Sequence, residues 1–177
     1  MVNYRRNLLP GGTYFFTVTL KHRGSTTLVD QVLLLKRAHR EVQKKHPFTV
    51  TAICVLPDHL HAIWTLPTDD ADYPRRWQAI KSIFTRLCVH HGLPFKKNKK
   101  DEYDLWQRRY WEHTIVDEED LQRHIDYLHY NPVKHAYVKQ VADWPHSSFH
   151  QYVKSGILPL DWAGAVDTPD DKGQYGE

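Results

Sequence analysis

Cysteine is scarce in this chain. Of 177 residues only Cys54 and Cys88 carry a thiol, each inside an apolar segment, and they form no CxxC pair. That excludes a disulfide-built scaffold and a zinc finger, and both read as reduced thiols of a core. No apolar run reaches the roughly 20 residues of a membrane span. The opening MVNYRRNLLPGG has no hydrophobic signal stretch, so a cytoplasmic, nucleoid-associated protein without membrane contact is expected. Internal repeats are lacking, and Ser147-Ser148 has no Gly-x-Ser-x-Gly context, which argues against a serine hydrolase.

What is present is ordinary globular composition, 41% hydrophobic and 25% charged, with length for one domain and one core. Residues 1–162 are expected to form that domain and 163–177 a flexible acidic tail. Residues 162–177 carry Asp167, Asp170, Asp171 and Glu177 against Lys172, a local −3 within a net +3, leaving a body of +6. With 13 His, ten Tyr, six Trp and six Phe, this body suits a polyanionic partner.

Periodicity supplies the elements. Thr13–Leu20 alternates Tyr14, Phe16, Val18 and Leu20 against Phe15, Thr17 and Thr19, a strand. Leu28 to Lys45 reads as a helix, Phe48–Leu56 and His59–Leu66 as strands joined by Pro57-Asp58, and Pro74–His91 as a second helix ended by Gly92. A long basic connection, Leu93 to Arg109, leads to a short strand at Glu112–Val116. Asp117 caps a third helix, in which Leu121, Ile125 and Leu128 form the core stripe. Pro132 is expected to stop that helix near Asn131. The order β-α-β-β-α-β-α predicts an α+β fold, a ferredoxin-like antiparallel sheet with helices packed on one face and a C-terminal extension.

Two clusters carry chemistry. Strand alternation sets His59 and His61 on one face, half of a divalent-metal site. Tyr127 and Asn131 lie about 40° apart on the third helix, one turn from each other, with His124 on the same flank. A phenol there is a candidate nucleophile, and an amide oxygen one turn on can complete a metal shell. Together they suggest a phosphodiester polarised by a hard ion and attacked by a phenolate, which needs positive charge nearby because phenol is a weak acid. Asp58 is placed to orient His59 or His61 from behind, and His124 is a second candidate for a place behind the ligands. Lys96, Lys97, Lys99, Lys100, Arg108 and Arg109 are candidates for DNA phosphates, Trp106 for stacking a base, and Arg5 and Arg6 for further DNA contacts.

His59-Leu60-His61 resembles the His-hydrophobe-His motif of single-strand DNA endonucleases and transposases, and Tyr127 with Asn131 their Tyr-x-x-x-Gln/Asn helix. The segments Gly11–Thr17, Leu56–His61, Tyr110–His113, Tyr127–His135 and Asp143–Phe149 are similar, in that order, to those of REP-associated tyrosine transposases. The resemblance implies the HUH endonuclease fold. It also implies binding of REP elements, short palindromic hairpins, as single strands, and cleavage and rejoining near the hairpin foot through a 5′-phosphotyrosine. By position, Tyr127 matches the nucleophile, His59, His61 and Asn131 the ligands of Mg2+ or Mn2+. A monomer or a homodimer is compatible with the resemblance. Two other classes stay open: a non-catalytic binder of structured single-stranded nucleic acid, and a phosphoesterase that uses a metal-bound water.

Overall fold

The computed structural model describes residues 7–163, 175 and 176. Four strands, β1 (Thr13–Thr19), β2 (Thr49–Val55), β3 (His59–Thr65) and β4 (Trp111–Thr114), form one antiparallel sheet in the order β2-β3-β1-β4. β1 pairs with β3 along its length, Thr17 opposite His61 and Thr19 opposite His59. Both central strands are buried on both faces, so each alternate set of side chains must find its own partner layer.

Helices α1 (Thr27–Asp30), α2 (Val32–Lys45) and α3 (Tyr73–His90) precede or interleave the strands, and α4 (Glu118–Lys134) and α5 (Phe149–Lys154) follow them. On one face Tyr14, Phe16, Val18, Leu60, Ala62 and Trp64 pack with Leu35, Ala38 and Val42 of α2 and with Trp77, Ile80 and Phe84 of α3. Trp64 and Trp77 stack at 4.1 Å between centroids. The sequence placed the helices on one face, and α2 and α3 do share it. α4 lies across the opposite face, where Ile125, Tyr127 and Leu128 meet Phe15, Ala52, Cys54 and Ile63. Both cysteines are free and buried, and burial pushes both thiols up, that of Cys88 to about 11.

Two boundaries differ from the periodicity. The first predicted helix breaks at Gln31 into α1 and α2. More consequentially, α4 passes through Pro132 and ends at Lys134. Proline removes one ladder hydrogen bond, but little more than half a turn follows it. The end is then closed by Tyr137 N–H donating to Pro132 O and Ala136 N–H to Val133 O, with Ala136 left-handed at φ 56°. This is a Schellman closure with alanine where glycine is usual. At the other end the Asp117 carboxylate accepts from Asp120 N–H as expected, and Val116 just before it is exposed.

The segment after α4 returns along β2. Val55 N–H donates to His146 O, and Ser148 N–H to Ile53 O, both 2.8 Å, so residues 146–148 cover the sheet's edge. The expected acidic tail lies mostly outside the described residues. Within it, Tyr175 is buried.

His39 on α2 packs edge-on against Phe48 and Trp64, its Nε2 buried without a hydrogen bond, and burial lowers its pKa to about 4. The unfolded chain takes up this proton near pH 6.5, and the folded chain resists until about 4. Stability is therefore whole above pH 6.5 and falls between 6.5 and 4. Urea unfolding at pH 7 and pH 4 should show a loss of up to about 3 kcal/mol from this group. That part of the loss should be missing in His39→Leu.

Candidate active site

The floor of the site is the α4 face of β1 and β3. His59 and His61 project from it with ring centroids 5.1 Å apart. Asp58, in the turn between β2 and β3, places Oδ1 2.7 Å from His59 Nδ1. A carboxylate accepts, so His59 donates through Nδ1, and Nε2 is left as the ligand atom of the neutral ring. Burial alone would raise the Asp58 carboxyl. The hydrogen bond from His59 and the Arg23 guanidinium outweigh it and hold the group below the usual carboxylate range. The Gly24 N–H also donates to Asp58 Oδ2.

His61 is held from β1. Its Nδ1 lies 2.9 Å from Thr17 Oγ1, whose hydroxyl donates to the carbonyl of Tyr175 at 2.5 Å. Thr17 spends its one proton on Tyr175, so His61 must donate to Thr17, and its Nε2 is likewise the ligand atom. Both rings thus have the tautomer a metal ligand requires, as a result of contacts that need no metal.

α4 supplies the rest. Tyr127 sets its ring edge-on to His61 at 5.5 Å and edge-on to Phe15 at 6.1 Å. Asn131, one turn on, is fully buried. Sequence reasoning missed three neighbours. Lys134 Nζ lies 2.9 Å from Tyr127 Oη; the expected stop at Pro132 had removed it from the helix. His135, the residue capping α4, sets its ring 5.2 Å from that of His59. Tyr175 stacks face to face on Tyr127, centroids 3.6 Å apart and planes 12° from parallel. Beside it, a side chain at Gly176 (φ 74°) would collide with Trp111. The histidine spacing past Asn131 could have signalled His135; nothing local signals Tyr175. Of the other tyrosines near the end of α4, Tyr130 is half-buried and Tyr137 lies exposed against Trp144.

His124, expected behind the ligands, belongs to a separate group. Donor atoms of His113, Asp120 and His124 lie within 4.8 Å of one another, close enough to share an ion. Asp120 Oδ2 accepts from His113 Nε2 at 2.8 Å and from Val116 N–H. His124 Nδ1 donates to the Asp120 carbonyl at 2.8 Å, and its ring stacks on His113. Burial acts to raise the Asp120 carboxyl, but the His113 and Val116 hydrogen bonds more than offset it. With its oxygens already engaged, this group ties β4 to the start of α4.

The expected DNA-contact residues divide. Lys99, Lys100, Arg108, Arg109 and Trp106 line a cleft of about 940 Å3 between α3 and the 97–109 loop, with Lys21 and Arg86. Lys97 is engaged by Asp101 at 2.8 Å and lies over Tyr103, and Lys96 is exposed outside the cleft lining. Trp106 donates Nε1–H to Thr85 and bridges to Leu20, which directly follows β1 at the end nearest His59. Arg5 and Arg6 lie outside the described residues.

The chain has clear relatives among known proteins. Residues 11–131 match the family model described as transposase IS200 like. The chain is 48% identical over 166 residues to the REP-associated tyrosine transposase of Escherichia coli K12, covering 94% of this chain and 93% of that protein. A Haemophilus influenzae protein given the same family name is 46% identical over 169 residues, with 94% and 96% covered. A solved REP-associated tyrosine transposase bound to a REP hairpin superposes with a TM-score of 0.87 at 45% identity, over 100% of this chain and 98% of that one.

Tyr175 is what covers the Tyr127 ring, so Tyr175→Ala should expose the phenol. Nitration of Tyr127 by tetranitromethane, followed by peptide mass spectrometry, should run several-fold faster in that variant. An unchanged rate would mean that the stack is not what shields the ring.

Proposed function

The chain belongs to the REP-associated tyrosine transposases, within the IS200-like transposase family, and from that premise we propose a metal-dependent single-strand DNA endonuclease and strand transferase. It binds REP-type palindromic hairpins and cleaves near the hairpin foot through a 5′-phosphotyrosine on Tyr127. The observation that carries this reading is the Tyr127 ring packed against His61, with His59 and His61 side by side and both anchored through Nδ1.

In this reading Tyr127 Oη attacks phosphorus, the Oη–P bond forms, and the P–O3′ bond breaks to leave a free 3′-OH. His59, His61 and Asn131 would hold Mg2+ or Mn2+, which when bound supplies Lewis-acid polarisation of the phosphodiester. Their fit rests on donor chemistry: two imidazoles fixed with Nε2 as ligand atom, and a buried amide one turn from the nucleophile. Asp58 and Thr17 hold those rings. The phosphotyrosine conserves the energy of the broken bond, so a 3′-OH can reverse the step and rejoin strands.

The hairpin is recognised first by charge. Lys99, Lys100, Arg108 and Arg109 border the cleft beside Trp106, an aromatic edge on which an unpaired base stacks. Through Trp106 the cleft meets Leu20, which directly follows the end of β1 that pairs with His59. A chromosomal substrate fits action in the cytoplasm at the nucleoid. No described helix is long and apolar enough to cross a membrane. One protomer carries His59, His61, Tyr127 and Asn131 on adjoining elements, which supports a monomer completing its own site.

A second reading, a hairpin binder that does not cleave, draws on one observation: Tyr127 is buried beneath Tyr175. One experiment separates the two. End-labelled single-stranded REP hairpin is incubated with Mn2+ or Mg2+ and run on a denaturing gel. Label should stay with the wild-type protein, vanish in Tyr127→Phe and vanish with EDTA, while Tyr127→Phe still binds the hairpin. Cleavage that survives Tyr127→Phe would make a metal-bound water the nucleophile. Binding without cleavage by the wild type would leave the binder.

A further inference from the structure

We infer that Lys134 is a further catalytic group of this centre, its ammonium engaging the Tyr127 oxygen and carrying the positive charge that phosphoryl transfer through that oxygen requires. The inference rests on Tyr127 being the nucleophile. Nζ lies 2.9 Å from Oη and 4.7 Å from the centroid of the same ring. An ammonium has three donors and no lone pair, so in this contact the phenol oxygen accepts. A charge-assisted hydrogen bond of this kind strengthens as negative charge grows on the acceptor. It therefore stabilises a phenolate more than a phenol, and an oxygen exchanging its bond with phosphorus more than one at rest.

Helix geometry makes the contact a fixed one. Seven residues separate Tyr127 from Lys134, two turns of α4, so their side chains rise from nearly the same stripe. The side chain starts from an exposed position and reaches inward. A DNA strand bound over the site would exclude water from Nζ and Oη together, and the attraction between them grows as the local dielectric falls. A competing reading gives Lys134 only the duty of a cation in the last turn, offsetting the helix dipole. That duty does not require Nζ to meet the one oxygen that reacts.

The step balances without a further reagent except water. The phenol proton passes to solvent, the Oη–P bond forms, the P–O3′ bond breaks, and the 3′-oxygen takes a proton from water. In rejoining, Oη is the leaving group and Lys134 faces the same charge from the other direction. Its loss should therefore slow both cleavage and rejoining.

The test uses the full chain with an end-labelled REP hairpin and Mn2+, and follows single-turnover adduct formation and its reversal by added 3′-OH strand. Lys134→Gln should slow both about 100-fold, the low end of what losing one such donor costs, with hairpin affinity kept. Lys134→Arg should recover most of the rate, and ethylammonium should restore part of it to Lys134→Ala. A wild-type rate in Lys134→Gln would overturn the assignment. So would a slow Lys134→Gln that also loses hairpin affinity and is not recovered by Lys134→Arg, because that pattern belongs to helix-end stability. If the wild type forms no adduct, or Tyr127→Phe still forms one, the reading of Tyr127 falls and this inference with it. An adduct in the wild type with an unaffected Lys134→Gln removes the lysine alone.

Discussion

Strand β3 is buried on both faces, and its period of two leaves no freedom in which side chain goes where. Leu60, Ala62 and Trp64 are committed to the layer of α2 and α3 by the tryptophan stack and its neighbours. His59, His61 and Ile63 are consequently turned to the opposite layer. A one-residue slip against β1 would bury the imidazoles among indoles and drive Trp64 into α4. The apolar core thus holds the polar site in register. The two hydrogen bonds behind the rings, donated to Asp58 and Thr17, then only have to set their rotation.

α4 is the second rigid part. Its start is pinned by the Asp117 cap and by Asp120, which ties it to β4 through His113. Its end is pinned by the Schellman closure over Ala136. Between those fixed ends, residues at spacings of four and seven, Tyr127, Asn131 and Lys134, keep a common side. Ile125 and Leu128 on the same rod bury against β2 and β3 and set how closely that side approaches the histidines. Position at the reacting centre is inherited from packing far larger than the polar contacts themselves.

Much of this was legible in the sequence because it depends on period. Alternation in Thr13–Leu20 and His59–Leu66 predicted the central strands, and the one-turn spacing predicted that Tyr127 and Asn131 share a flank. What escaped depends on contacts between distant residues. Proline is read as a stop because it removes a donor, yet α4 carries it near its end, where one lost bond costs little, and Lys134 gains its place by that extension. The opposite-face position of α4 follows from which layer still had apolar residues to cover, which element order does not encode. Tyr175 reaches Tyr127 from 48 positions away, and no local pattern announces such a return. The His113–Asp120–His124 group was partly visible as a helix start, but its joining to β4 needed the sheet.

The strip of chain at residues 146–148 has a consequence beyond tidiness. An outer strand with open N–H and C=O groups is an invitation to a neighbouring molecule, which can extend the sheet by laying a strand of its own alongside. In β2 those groups are answered within the same chain, by His146 and Ser148 backbone bonds and by the Ser148 hydroxyl on Ile53 N–H. Lateral recruitment at this border would first have to peel that strip away. The same sealing keeps β2, and so the histidine-bearing strand beside it, from being pulled out of line when two copies collide on a crowded nucleic acid.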